Sequence, residues 1–147
     1  MLRRVTAIVI ALIVGLSFFL LQARAQFSIR AASDQPVAGW MRMQYNNQTV
    51  WVSPTASLTS ADIQRAEPSK TSDGATAVGV VFSDAGAKKM TDLSHAQLNK
   101  LIAMVLDDKV IFAPKVRAEI GTQALITGKT PSGLPAGVAQ RIVDSVK

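Results

Sequence analysis

The chain has 147 residues, 16 Lys and Arg against 10 Asp and Glu, one His and no Cys, and 48% of it is apolar. That is the arithmetic of one small globular domain, with no room for a second of full size. The absence of cysteine removes a disulfide framework, a thiolate nucleophile, Cys-ligated zinc and cysteine-linked lipid, and with 18% charged residues the chain is too apolar to be disordered throughout.

Residues 1–25 have the form of a secretory signal. Arg3 and Arg4 make a basic start, Val5 to Leu21 is apolar apart from Thr6 and Ser17, and Ala23-Arg24-Ala25 places small residues where a signal peptidase inspects them. The expected cut precedes Gln26. The alternative is a retained anchor, because an apolar helix of this length would extend about 26 Å, close to the roughly 30 Å hydrocarbon layer. Loss of residues 1–25 would leave 13 basic residues against 10 acidic ones and lower the formal net charge from +6 to +3. The remaining cations are scattered, with Lys88-Lys89 the one adjacent pair, so the concentrated basic stripe of a nucleic-acid binder is missing and no nucleic-acid partner is expected.

Residues 26–48 read as a tether or arm, broken at Ser33-Asp34-Gln35-Pro36 and carrying Trp40, Met41, Met43 and Tyr45; residues 49–147 read as the folded domain. Val50-Trp51-Val52 has strand character and Ser53-Pro54 ends it. Leu58-Thr59-Ser60-Ala61-Asp62-Ile63 has the pattern of a capped helix start, with Asp62 able to bond back to Thr59 and Leu58 opposite Ile63. Gln64 to Glu67 continues as a strand up to Pro68, and Asp73-Gly74 marks a hairpin reversal into Ala77 to Phe82, where Val78, Val80 and Phe82 share one face.

Ser83 and Asp84 open a helix with Ala87, Met90 and Leu93 as its apolar stripe and Lys88, Lys89 and Asp92 toward water. Leu101 to Leu106 is an apolar run of strand length with both faces covered. Asp107-Asp108 turns the chain into Lys109 to Phe112, Ala113-Pro114 interrupts pairing, and Val116 to Ile120 alternates as a further extended stretch. Ala124 to Thr127 is the last strand, Gly128 to Gly133 a loop, and Pro135 opens a helix whose buried stripe is Val138, Ile142 and Val146. The expected fold class is α+β: a mainly antiparallel sheet with two principal helices packed on one face.

Residues able to carry chemistry are few. His95 is the single imidazole and sits at the end of a lysine-bearing helix, where a cap or surface role suits it better than catalysis. Gly128-Lys129-Thr130 lacks the upstream glycine of a phosphate loop, because position 123 is Gln123. Glu67 and Glu119, the two glutamates, fall on separate segments, and Asp107-Asp108 supplies too few ligands for a cation. No catalytic residue, cofactor site or metal site is therefore expected, and the chain is read as a non-enzyme.

Four stretches in order carry a resemblance: Leu58-Thr59-Ser60-Ala61-Asp62-Ile63; Val81-Phe82-Ser83-Asp84-Ala85-Gly86-Ala87-Lys88-Lys89-Met90; Ile102-Ala103-Met104-Val105-Leu106-Asp107-Asp108-Lys109-Val110-Ile111-Phe112-Ala113-Pro114; and Ala124-Leu125-Ile126-Thr127-Gly128. Together they resemble the head subdomain of the first periplasmic domain of SecD, from about Val50 to Val146. Asp108 stands where that family usually has glycine, and Phe112 where it usually has a small residue. The resemblance implies a periplasmic or secreted domain, tied to the inner membrane if the N-terminal segment is retained, that contacts emerging polypeptide. The base subdomain and membrane bundle of that family have no counterpart here, so proton-driven pumping is not expected of this chain alone.

The resulting expectation is a polypeptide-binding module assisting export, with exported polypeptides or the export translocase as partners. Its candidate binding residues are Lys109, Phe112, Lys115 and Arg117, along an edge interrupted at Pro114. The alternative is a dedicated interaction domain that holds one fixed envelope partner through the arm residues Trp40 and Tyr45.

Overall fold

The computed structural model describes residues 25–128 and 131–147. The expected signal core, and Lys129 and Thr130 of the rejected phosphate loop, lie outside the described residues. The chain order is β1 (Phe27–Ser33), β2 (Met41–Tyr45), β3 (Gln48–Val52), β4 (Leu58–Thr59), a 3-10 turn (Ser60–Asp62), β5 (Ile63–Lys70), β6 (Thr76–Phe82), α1 (Asp84–Ala96), β7 (Leu101–Leu106), β8 (Lys109–Phe112), β9 (Gln123–Thr127) and α2 (Ala136–Val146). The class is α+β with antiparallel pairing between the strands, but the strands divide into two sheets. One runs β2-β3-β1-β7-β8 with β4 also paired to β1, and the other runs β5-β6-β9.

Residues 26–48 do not form the expected tether. Strand β1 is internal to the large sheet, matched to β7 from Phe27↔Leu106 to Ala32↔Leu101 and to β3 and β4 on its other side. Phe27 and Ile29 are fully buried and Ala31 packs beside them, a period-two pattern in which Ser28 and Arg30 are the intervening polar residues. Arg30 needs no exposed strand: its guanidinium donates to Ser28 Oγ at 3.0 Å and to the carbonyls of Ser53 and Pro54 at 3.2 and 2.6 Å. The next two strands form a hairpin turned by Asn46 and Asn47, both at positive φ, a conformation asparagine tolerates better than most residues.

The expected capped helix at Leu58 to Ile63 is a single 3-10 turn. The expected capping pair of Thr59 and Asp62 is present at its start, with the Thr59 N–H donating to Asp62 Oδ2 at 3.0 Å. Strand β5 then runs through Pro68, which an edge strand accommodates because the missing N–H faces away from its neighbour. The Asp73-Gly74 reversal occurs as expected, with Gly74 at φ +82 and its N–H bonded to Thr71 O at 2.9 Å. Val78, Val80 and Phe82 all point inward.

Helix α1 starts as its sequence requires: the Ser83 hydroxyl accepts from Gly86 N–H at 3.0 Å, and Met90 and Leu93 are buried. Gly86 is obligatory for another reason, since a Cβ there would lie 2.1 Å from the Asp62 carbonyl oxygen. The Asp107-Asp108 turn holds both residues at positive φ, giving a hairpin where the family resemblance has glycine. In contrast to the sequence expectation, Val116 to Ile120 is not a strand. It makes only isolated bridges, in which Val116 N–H donates to Lys100 O and Asn99 N–H to Val116 O, both at 2.8 Å. In α2 the buried stripe is Ala139, Ile142 and Val143, so Val138 and Val146 flank it rather than define it.

Among the described residues two hydrophobic cores form, one on each face of β7. Ile102, Met104 and Leu106 face the main core with Phe27, Ile29, the inner residues of the three-stranded sheet and both helices. Ala103 and Val105 face a smaller core with Ala32, Val50, Val52 and Val110, closed where the large sheet curls to bring β2 against β8.

Candidate functional site

The sequence marked two surfaces, and the curl of the large sheet brings parts of both together. Tyr45, at the end of β2, meets Val110 and Ile111 of β8 and Leu134, Pro135 and Val138 at the start of α2 around a largely apolar pocket of about 250 Å³. Lys109 is exposed at the start of the same β8. Phe112, at its other end, is half-buried and packs on the main core, so it contributes packing there. Trp40 lies in the turn before β2, half-buried, with its N–H bonded to Val37 O at 3.1 Å. It does not line the Tyr45 pocket.

Lys115 and Arg117 are exposed on either side of buried Val116. The backbone beneath them is not an open edge, however. Pro114 O accepts from Ile102 N–H at 3.1 Å, and both polar groups of Val116 are taken by Lys100 and Asn99. Pro114 thus leaves the strand ladder but keeps the chain docked.

The three-stranded sheet carries a second concavity on the face turned away from the helices. It is an open trough of about 440 Å³ between Arg65 and Glu67 of β5 and Gln123 and Leu125 of β9, with Gly79 of β6 between them. Leu125 is among the few large apolar side chains with substantial exposure, at 44%. Gly79 pairs with both Glu67 and Leu125, so its missing side chain opens the centre of the trough. Sequence reasoning missed it; the only available signal was a glycine inside an alternating strand.

Buried polar groups elsewhere are structural. Gln97 donates its amide hydrogens to Ala32 O at 3.0 Å and Leu101 O at 2.8 Å, tying the end of α1 to the large sheet. Buried Ser94 accepts from Ile120 N–H at 3.0 Å and donates to Thr91 O at 2.9 Å. Asp62 accepts from Lys89 Nζ at 2.8 Å as well as from Thr59. Burial opposes its ionisation, but the hydrogen bonds from Lys89 and Thr59 outweigh that and hold its carboxyl below the usual aspartate value. His95 Nε2 lies 2.6 Å from Glu119 Oε2 in an exposed pair. Among the described residues no group of three or more His, Cys, Asp or Glu gathers as metal ligands. Nor is any described helix long and apolar enough to cross a membrane.

The chain is thus a two-sheet α+β domain with an apolar pocket and an open trough on its surface. The family follows from comparison: residues 38–133, more than half of the chain, match the SecDF P1 head subdomain, and the chain belongs to that family. It is 39% identical over 72 residues to the protein translocase subunit SecD of Acidaminococcus fermentans, covering 48% of this chain and 17% of that protein. It is 37% identical over 73 residues to SecD of Rhodobacter capsulatus, covering 49% of this chain and 13% of that one. The fold is similar to the crystal structure of SecDF in its super-membrane-facing form, with a TM-score of 0.64 at 23% identity over 84% of this chain and 18% of that chain. It is also similar to a structure described as a membrane component SecDF that enhances protein export, with a TM-score of 0.63 at 21% identity over 84% of this chain and 62% of that chain. The chain thus spans less than a fifth of the length of these curated relatives.

Proposed function

We propose that this chain is a non-enzymatic module of the bacterial cell envelope that binds exported polypeptides in extended form, beside the protein-export translocase. The observation that carries this reading is the pocket where Tyr45, Val110, Ile111, Leu134 and Val138 converge, open to solvent and large enough for an apolar side chain of a passing segment. Lys109, exposed at the start of the β8 strand whose next two residues line the pocket, supplies a cation close by, and Lys115 and Arg117 are exposed further along the chain. Membership in a family of translocase subunits supports the partner class.

The test is site-specific photocrosslinking in cells with a probe at Lys109, followed by identification of the captured proteins. Many unrelated exported chains, lost when Val138→Asp places a charge in the pocket, is the expected result. One dominant envelope protein would overturn it. That outcome belongs to the second reading, a dedicated interaction domain, which is favoured by Met41, 41% exposed on the hairpin next to half-buried Trp40. A probe at Trp40 separates the two, because the Tyr45 pocket does not include it.

A further inference from the structure

Asp107 stands apart from both concavities and holds together three parts of the chain. Its N–H donates to Gln26 O at 2.9 Å, and its Oδ1 accepts from the Gln26 backbone nitrogen at 2.8 Å, a reciprocal pair across 81 positions of sequence. Its other oxygen, Oδ2, pairs with Arg141 of α2. Asp107 lies at φ +47 in the tight β7–β8 turn, so the backbone sets the carboxylate beside the start of β1.

The residue at the centre of that arrangement is the one that follows Ala23-Arg24-Ala25. We infer that the Ala25–Gln26 bond is a processing site and that Asp107 is the receptor for the α-ammonium that cleavage creates on Gln26. The nitrogen already in hydrogen-bond contact with Oδ1 becomes a cation, converting a hydrogen bond from a neutral amide to a carboxylate into an ion pair in which both partners are charged. Arg141 on Oδ2 leaves Oδ1 for this second cation, so the two oxygens serve two partners. Ala25 packs against the main core and β1 is an internal strand, so a peptidase that grips an extended substrate must cut before β1 docks. Cleavage first and docking second is the required order. This inference is independent of what the domain binds.

An N-terminal glutamine also supplies its own reporter. Its unprotonated α-amine attacks the side-chain Cδ, forming the lactam N–Cδ bond while the Cδ–NH2 bond breaks and ammonia leaves, with no change in oxidation state. A paired, protonated amine has no lone pair to offer.

The full chain, expressed in a bacterial host and isolated from its envelope, is read by intact mass and N-terminal sequencing, then incubated to follow loss of ammonia. The expected protein begins at Gln26 and cyclises slowly. Asp107→Asn, which suits the left-handed turn, cyclises several-fold faster, whereas Arg141→Gln, which leaves the carboxylate to the amine, does not. A retained leader or a start at another residue overturns the proposal, as does equal cyclisation in wild type and Asp107→Asn, or acceleration by Arg141→Gln to the same degree. Should Asp107→Asn fail to accumulate, the wild-type protein unfolded in urea becomes the reference. Equal rates folded and unfolded would then overturn the proposal.

Discussion

The two cores on either side of β7 are closed by different means. The main core is sealed by two helices and a second sheet, and its central side chains Ile102, Ile142, Val78 and Ile126 are fully buried. The smaller one has no helix of its own and is sealed only by the large sheet curling until β2 meets β8. A core closed by separate elements loses packing locally when one residue shrinks. A core closed by the curl of one sheet depends on the hairpin that completes it. The Tyr45 pocket lies where these two constructions meet, with Val110 from the smaller core and Leu134 from the main one in its lining.

Breaking the main core should have the largest effect. Ile102→Ala removes a fully buried side chain from the middle of the internal strand β7 and is expected to lower stability by about 2–5 kcal/mol, measured by urea unfolding. The matching change in the smaller core, Val52→Ala, should cost less, about 1–2 kcal/mol, because fewer buried methyl groups are lost. It should also loosen β2 and β3 selectively, seen as faster amide exchange there than in β6. Equal loosening of both sheets would show that the cores act as one unit.

Acid sharpens the comparison, since the ion pair of Asp62 with Lys89 belongs to the main-core side alone. The folded-state carboxyl of Asp62 titrates below its ordinary value of 3.8, so its contribution is full above that value and is lost as pH falls through the lowered one. Asp62→Asn should therefore flatten the decline of the urea midpoint below about pH 4 while lowering stability at neutral pH. An unchanged acid limb would assign the decline to other carboxylates. The smallest effect is expected from Glu119→Gln, which removes an exposed partner of His95 and should change stability by less than about 1 kcal/mol in thermal unfolding.

Much of the domain was legible from residue order. The Ser83 cap, the Asp73-Gly74 reversal and the two-sided burial of Leu101 to Leu106 each rest on a local rule: an N-cap acceptor, a glycine at positive φ, and an unbroken apolar run. Strand β1 was missed although Phe27, Ile29 and Ala31 alternate with Ser28 and Arg30; what residue order could not show is its place inside the large sheet, where Arg30 reaches the carbonyls of Ser53 and Pro54 more than twenty residues away. The expected strand after Pro114 failed for the complementary reason, since its alternation was genuine but its hydrogen-bonding partners are the loop residues Asn99 and Lys100.

Of the candidate site, the sequence marked Tyr45 and Lys109 separately and as rival surfaces. Only the curl of the large sheet places the end of β2 beside β8, and only the packing of α2 adds Leu134 and Val138 to make a pocket. By itself, then, the sequence determined the class, the family likeness, most element boundaries and the small-residue pattern before Gln26. Tertiary structure decided that residues 27–33 are an internal strand, that two cores exist, and that Asp107 meets the Gln26 nitrogen. Local propensity acts over a few neighbouring residues, whereas strand order and carboxylate partners are set by which distant surfaces bury each other best.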